Sequence, residues 1–176
     1  MHARIRELLD HLDRERAVLR AAFEAVPPEL RDRAPALSRW SPAGIVENLA
    51  IVEQRVAGAL AEKIAAARAE GLGPDTAEGP ILPTLDLTRI RSRTNRVNAP
   101  ETAHPKGLSA DAAWAALERA GEAVRVTLRS GDGLALGSIE HPHPAFGSLT
   151  LYHWFAILGG HEARHAAQIR EDAVHA

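Results

Sequence analysis

Apolar residues return at helical spacing along four stretches of this chain, with charged residues filling the gaps. Ile5, Leu8, Leu9, Leu12, Leu19, Ala22, Phe23 and Val26 make the first stripe, predicting a helix from about His2 to Val26, where Pro27-Pro28 stops it. The second follows Trp40-Ser41-Pro42. Ser41 suits the N-cap and Pro42 the first helical position. Ile45, Leu49, Val52, Val56 and Leu60 form its buried stripe, which runs to Glu70 with Gly71 as the C-cap. The third begins near Ser109, with Asp111 in its first turn, and carries Trp114, Leu117, Val124 and Leu128 to a stop at Ser130-Gly131-Asp132-Gly133. The fourth starts around Ser148 and runs to about Asp172, with Leu151, Trp154, Leu158, His161, His165 and Ile169 on one face.

Residues 71–108 break this regularity. They are rich in Gly and Pro, keep no period, and leave room for one short helix in a long crossover. A crossover of that length lets the helices it joins lie parallel. Strand-favouring runs are nearly absent and aromatics are only 4%, so the fold class is all-α, a four-helix bundle in a single domain over residues 1–176. The net charge of −2 gives no reason to expect nucleic acid or an anionic membrane as partner. No leader-like apolar core and no membrane-length apolar run appear, so the expectation is a cytoplasmic protein. The absence of cysteine excludes disulfides, thiolate-bound zinc and a cysteine nucleophile.

The candidate chemistry lies on the last helix. His161 and His165 are four residues apart, so they project from one face, and that face is the apolar one. Two neighbouring imidazoles are costly to protonate away from water, whereas a divalent cation takes both as neutral ligands. The alternative is a hydrogen-bonded core pair with Gln168 or Asn48 as partner. His2, His11, His104 and His175 read as incidental, and His153 stands two turns from His161, too far to share an ion. His141 and His143 flank prolines in a loop near the end of the cleft. The string His161-Glu162-Ala163-Arg164-His165 also matches the H-E-x-x-H of zinc proteases, with Glu162 as general base. The extended form of that motif needs Gly and His where this chain has Gln168 and Glu171, and the protease sheet is missing. The four arginines Arg89, Arg91, Arg93 and Arg96 read as a solvated face or as an anion-binding edge.

Two segments together resemble the DinB-like, YfiT-type superfamily. Trp40-Ser41-Pro42-Ala43-Gly44-Ile45-Val46-Glu47-Asn48-Leu49 is similar to its W-S-P-x-x-x-x-E-H-L segment. His143-Pro144-Ala145-Phe146-Gly147 and His161 through Ile169 are similar to its closing loop and last helix. The resemblance implies a four-helix bundle in up-down-down-up order, often a homodimer, with nickel or zinc on three histidines. His161 and His165 match two of them. Asn48 stands where the third is expected, and Glu53 is a remote substitute. An amide oxygen is a weaker ligand for nickel or zinc than imidazole. The expectation is therefore a modified His161, His165, Asn48 site with weak or absent metal. The implied function is a metal-dependent hydrolase or a low-molecular-weight-thiol transferase acting on a small molecule. The alternative is a non-catalytic, metal-free bundle that binds a small ligand or supports a dimer.

Overall fold

The computed structural model describes residues 1–94 and 99–174. Four long helices carry the fold: α1 (Ala3–Glu24), α2 (Pro42–Ala69), α4 (Ala110–Ser130) and α5 (Leu151–Val174). A single-turn α3 (Thr88–Arg91) lies in the crossover, and a hairpin of β1 (Glu140–His143) and β2 (Gly147–Thr150) precedes α5. The expected caps are in place. Ser41 accepts from the Gly44 amide at 3.0 Å and Ser109 from the Ala112 amide at 3.4 Å, each worth about 1 kcal/mol. Gly71 closes α2 at φ 79°, a backbone angle that suits glycine.

The helices pack chiefly in two pairs, α1 with α5 and α2 with α4, while α2 also meets α5. His11 faces Ala156, Arg16 faces Glu162 and Arg170 reaches Val18, so α1 and α5 run the same way. Glu47 lies beside residues 106–108 at the head of α4, and Arg68 bonds the Ser130 carbonyl at its foot, so α2 and α4 also run together. Between the pairs the direction reverses. Ala57, Leu60 and Ile64 share a core cluster with Ile5, Leu8, Leu151 and Trp154–Leu158, while Ile45, Leu49 and Ala50 cluster with Leu19, Phe23, Ala166 and Ile169. Glycine permits the closest approach. A Cβ at Gly159 would fall 2.4 Å from His11 Nε2, and one at Gly160 would fall 2.7 Å from Ile90.

The last helix begins at Leu151 rather than Ser148, because residues 147–150 pair antiparallel with 140–143. Gly147, at φ 74°, makes that turn, and the expected open loop through His141 and His143 is therefore a hairpin strand.

The crossover is anchored along its described length. Tyr152 Oη donates to Asp75 at 2.7 Å, and Asp75 also holds Arg4. Glu7 takes the Ile81 and Leu82 amides, and Thr84 meets His153 at 3.1 Å. Ile90 then packs at Gly160, while Arg91 pairs with Glu15 and Arg93 with Glu171. The segment thus climbs the outer side of α1 and α5 toward residue 171. Residues 99–108 come back over the start of α2, where Glu47 accepts the Lys106, Gly107 and Leu108 amides at 2.8–3.0 Å.

Candidate metal centre

The α5 periodicity delivers what its spacing promised. His161 and His165 face each other with their Nε2 atoms 3.0 Å apart. His165 is buried, and His161 keeps a partly exposed edge. Gln168, one turn further on, places Oε1 3.0 Å from His165 Nδ1. The same oxygen lies 3.2 Å from Arg93 Nη1, and a guanidinium can only donate. The atom facing both groups is therefore an acceptor, so His165 Nδ1 carries the proton and Nε2 keeps its lone pair toward His161. This is how ligating histidines are usually oriented, with the far ring nitrogen held by a hydrogen bond.

Burial pushes the pKa of His161 down to about 4, helped by the neighbouring Arg164 and His143. Burial likewise drives His165 well below the ordinary histidine value, with His161 next in importance. Both rings are neutral at pH 7, the form that binds a cation. Unfolded, these rings take up protons near pH 6.5, whereas the folded protein resists until about pH 4 at His161. The folded state binds fewer protons in that window, so the pair's contribution to stability is full above pH 6.5 and is lost as pH falls. Glu53 has the opposite sign, because burial raises its carboxyl well above the usual range. In chelator, His165→Gln should therefore flatten the loss of stability between pH 6.5 and 4, read from urea midpoints. An unchanged slope would contradict the neutral pair.

Asn48 is buried at 2% exposure, and its Nδ2 donates to the Ala103 carbonyl at 2.7 Å. Its level follows from the helix register. Glu53 and Glu162 meet on Arg16, and α2 runs against α5. Asn48 lies about 7.5 Å along α2 from Glu53, and His165 about 4.5 Å along α5 from Glu162, in the same direction. Asn48 is thus level with the turn from His165 to Gln168. Among the described residues, no group of three or more His, Cys, Asp or Glu side chains is placed to hold a metal ion.

The pair itself fits a cation. Two nitrogens each about 2.1 Å from one ion lie about 3.0 Å apart at a right angle and about 3.4 Å apart at the tetrahedral angle. The observed 3.0 Å is in that range without movement of the backbone.

The other candidates resolve differently. Glu162 gives both carboxylate oxygens to Arg16, at 2.8 and 3.1 Å, so it is held against α1 and is not a free base beside the histidines. Glu53 is held by the same guanidinium and is not a spare ligand. His143 packs between Phe146 and Trp154, each 4.7 Å from its ring, at the hairpin end of the site. Arg89 lies over the Phe146 ring at 4.9 Å. Arg91 and Arg93 are engaged by acidic partners, and Arg96 lies outside the described residues, as does His175.

Sequence reasoning missed three residues. His11, read as incidental, is buried at 2% and meets the Ala156 carbonyl of α5 at 3.0 Å. Its place between Leu8 and Leu12 on the apolar stripe was the available signal. Glu47, absent from the α2 stripe of Ile45, Leu49, Val52, Val56 and Leu60, is buried at 3% as the anchor for residues 106–108. Arg16 looked like a surface arginine, and nothing local marked it.

The structure is a mostly helical fold with two neighbouring histidines, His161 and His165, on its last helix. The family model of the DinB superfamily matches residues 11–169, and the chain belongs to that superfamily. No curated protein and no solved structure matches it.

Proposed function

We propose that this chain is a divalent-metal-dependent enzyme, a hydrolase or a low-molecular-weight-thiol transferase, built on an up-down-down-up four-helix bundle. The observation that carries the metal reading is the Nε2-to-Nε2 histidine pair, with Gln168 on the far nitrogen of His165. The parallel pairing of α1 with α5 and of α2 with α4 supports the bundle order. Nickel or zinc suits two imidazoles, and Asn48 Oδ1 is the neutral donor nearest in level to complete the set. The resemblance adds a homodimer acting on a small molecule, while the net charge of −2 and the lack of long apolar runs support a cytoplasmic chain without a nucleic-acid or membrane partner. Among the described residues no helix is long and apolar enough to cross a membrane.

When bound, the metal supplies a Lewis acid that polarises a substrate or acidifies its thiol. The protein's own groups do the rest. His161 and His165 hold the cation, and Gln168 keeps His165 aimed. Ile90 packs at Gly160, beside His161, and the His143, Phe146, Trp154 cluster lies at the hairpin end of the site. Arg89, over the Phe146 ring, brings positive charge suited to a substrate carboxylate. With no cysteine in the chain, any reacting thiol belongs to the substrate.

One observation favours a second reading, a metal-free bundle that binds a small ligand or supports a dimer. The Asn48 amide is already bonded to Ala103, and among the described residues no third His, Cys, Asp or Glu is placed to join the two histidines. Titration with zinc or nickel separates the two. The metal reading expects one site per chain and at least a hundredfold weaker binding in His165→Ala. Equal binding by both proteins would reject the pair as the site.

A further inference from the structure

Arg16 joins all four long helices through one side chain. From α1, its Nε and Nη2 grip Glu162 of α5 at 2.8 and 3.1 Å. Nη2 also reaches both oxygens of Glu53 on α2, at 3.0 and 2.8 Å. Nη1 donates to the Leu117 carbonyl of α4 at 3.1 Å. The side chain is only 12% exposed, and Glu53 and Glu162 are 3% and 2% exposed. Gly121 leaves the room, since a Cβ there would fall 2.7 Å from both terminal nitrogens.

The position of this knot matters more than its strength. Glu162 is covalently next to His161, and Glu53 lies five residues beyond Asn48 on α2. Fixing Glu53 and Glu162 on one rigid, planar fork fixes the rotation of α5 and its axial register against α2. Those two quantities set where the His161 and His165 rings stand relative to Asn48. A buried arginine with two carboxylates is not needed for stability alone, since packed apolar residues fill such places as well or better. Its geometric specificity is what an apolar core would lack.

Resting on the metal reading above, we infer that Arg16 is a positioning residue for the metal centre, with Glu53 and Glu162 as its two handles. Glu162 of the H-E-x-x-H string then serves the centre through helix alignment and not as a base. An ammonium in place of the guanidinium keeps the charge but loses the fork. Arg16→Lys and Glu162→Gln should therefore fold and yet present the histidines in a loosened arrangement.

The test is titration of the full chain with cobalt(II) alone, followed by its visible ligand-field bands and by competition with a chelator. Leu128→Ala, in the core on α4, gives a destabilised control with the knot intact. The inference expects Arg16→Lys and Glu162→Gln to bind cobalt at least tenfold more weakly, with shifted bands. Leu128→Ala should keep the native affinity and bands. If wild type binds and the knot variants match it in affinity and spectrum, the inference is overturned and the metal reading stands. If Leu128→Ala loses as much as they do, general loosening explains the effect and the inference is again overturned. If wild type binds no cobalt, the metal reading itself falls.

Discussion

Arg16→Ala should lower folding stability by about 3–5 kcal/mol, the largest loss expected from any single polar substitution here. The charge itself is not what makes it so. Removing the guanidinium leaves Glu53 and Glu162, both almost fully buried, facing each other without a counter-ion. Burial and the charge on Glu162 already hold the Glu53 carboxyl well above its usual range even with Arg16 present. Without Arg16 the cluster must take up a proton or admit water, and either destabilises the native state. Urea denaturation at pH 7.5 should show a much lower midpoint, partly recovered at pH 5, where protonation relieves the repulsion. A loss below about 1 kcal/mol, the range of exposed ion pairs, would mean that the cluster is solvated.

Asn48→His should raise zinc or nickel affinity by at least tenfold. The Ala103 carbonyl that now takes the Asn48 amide proton can take the Nδ1 proton of a histidine. That bond would fix the tautomer and leave Nε2 with its lone pair, as Gln168 does for His165. Asn48 is level with the turn from His165 to Gln168, so the new nitrogen needs no change of helix register. Isothermal titration with zinc in the two proteins reads the difference. Unchanged affinity would show that position 48 does not face the pair.

Much of the fold is legible in the sequence. The four stripes, Ser41, Ser109 and Gly71 gave the long helices to within a few residues, because caps and 3.6-residue periodicity are local properties. The inward pair followed from the same periodicity. Reading α2 as a simple stripe failed at its start, where Pro42 through Ala50 are all buried. The returning crossover covers the side that a stripe would leave to solvent, and a single helix cannot announce what a loop 60 residues away will lay over it. Glu47 was therefore left off the stripe and Asn48 stood at its edge, and both are buried with loop partners. Arg16 was invisible for a related reason. Its partners come from three other helices, and its neighbours Glu15 and Val18 gave no hint of an inward fork. The hairpin before α5 escaped because His-Pro-His-Pro has no strand propensity, and its pairing depends on Gly147.

The match to the DinB superfamily over residues 11–169 shows the family and leaves the centre to be tested directly. The direct measurement is the metal content of the tag-free protein, by elemental mass spectrometry, as isolated and after incubation with zinc or nickel followed by desalting. The account predicts close to one nickel or zinc per chain after loading, and none retained by His165→Ala. A wild-type chain that retains no metal after loading would contradict it and leave His161 and His165 as a hydrogen-bonded core pair.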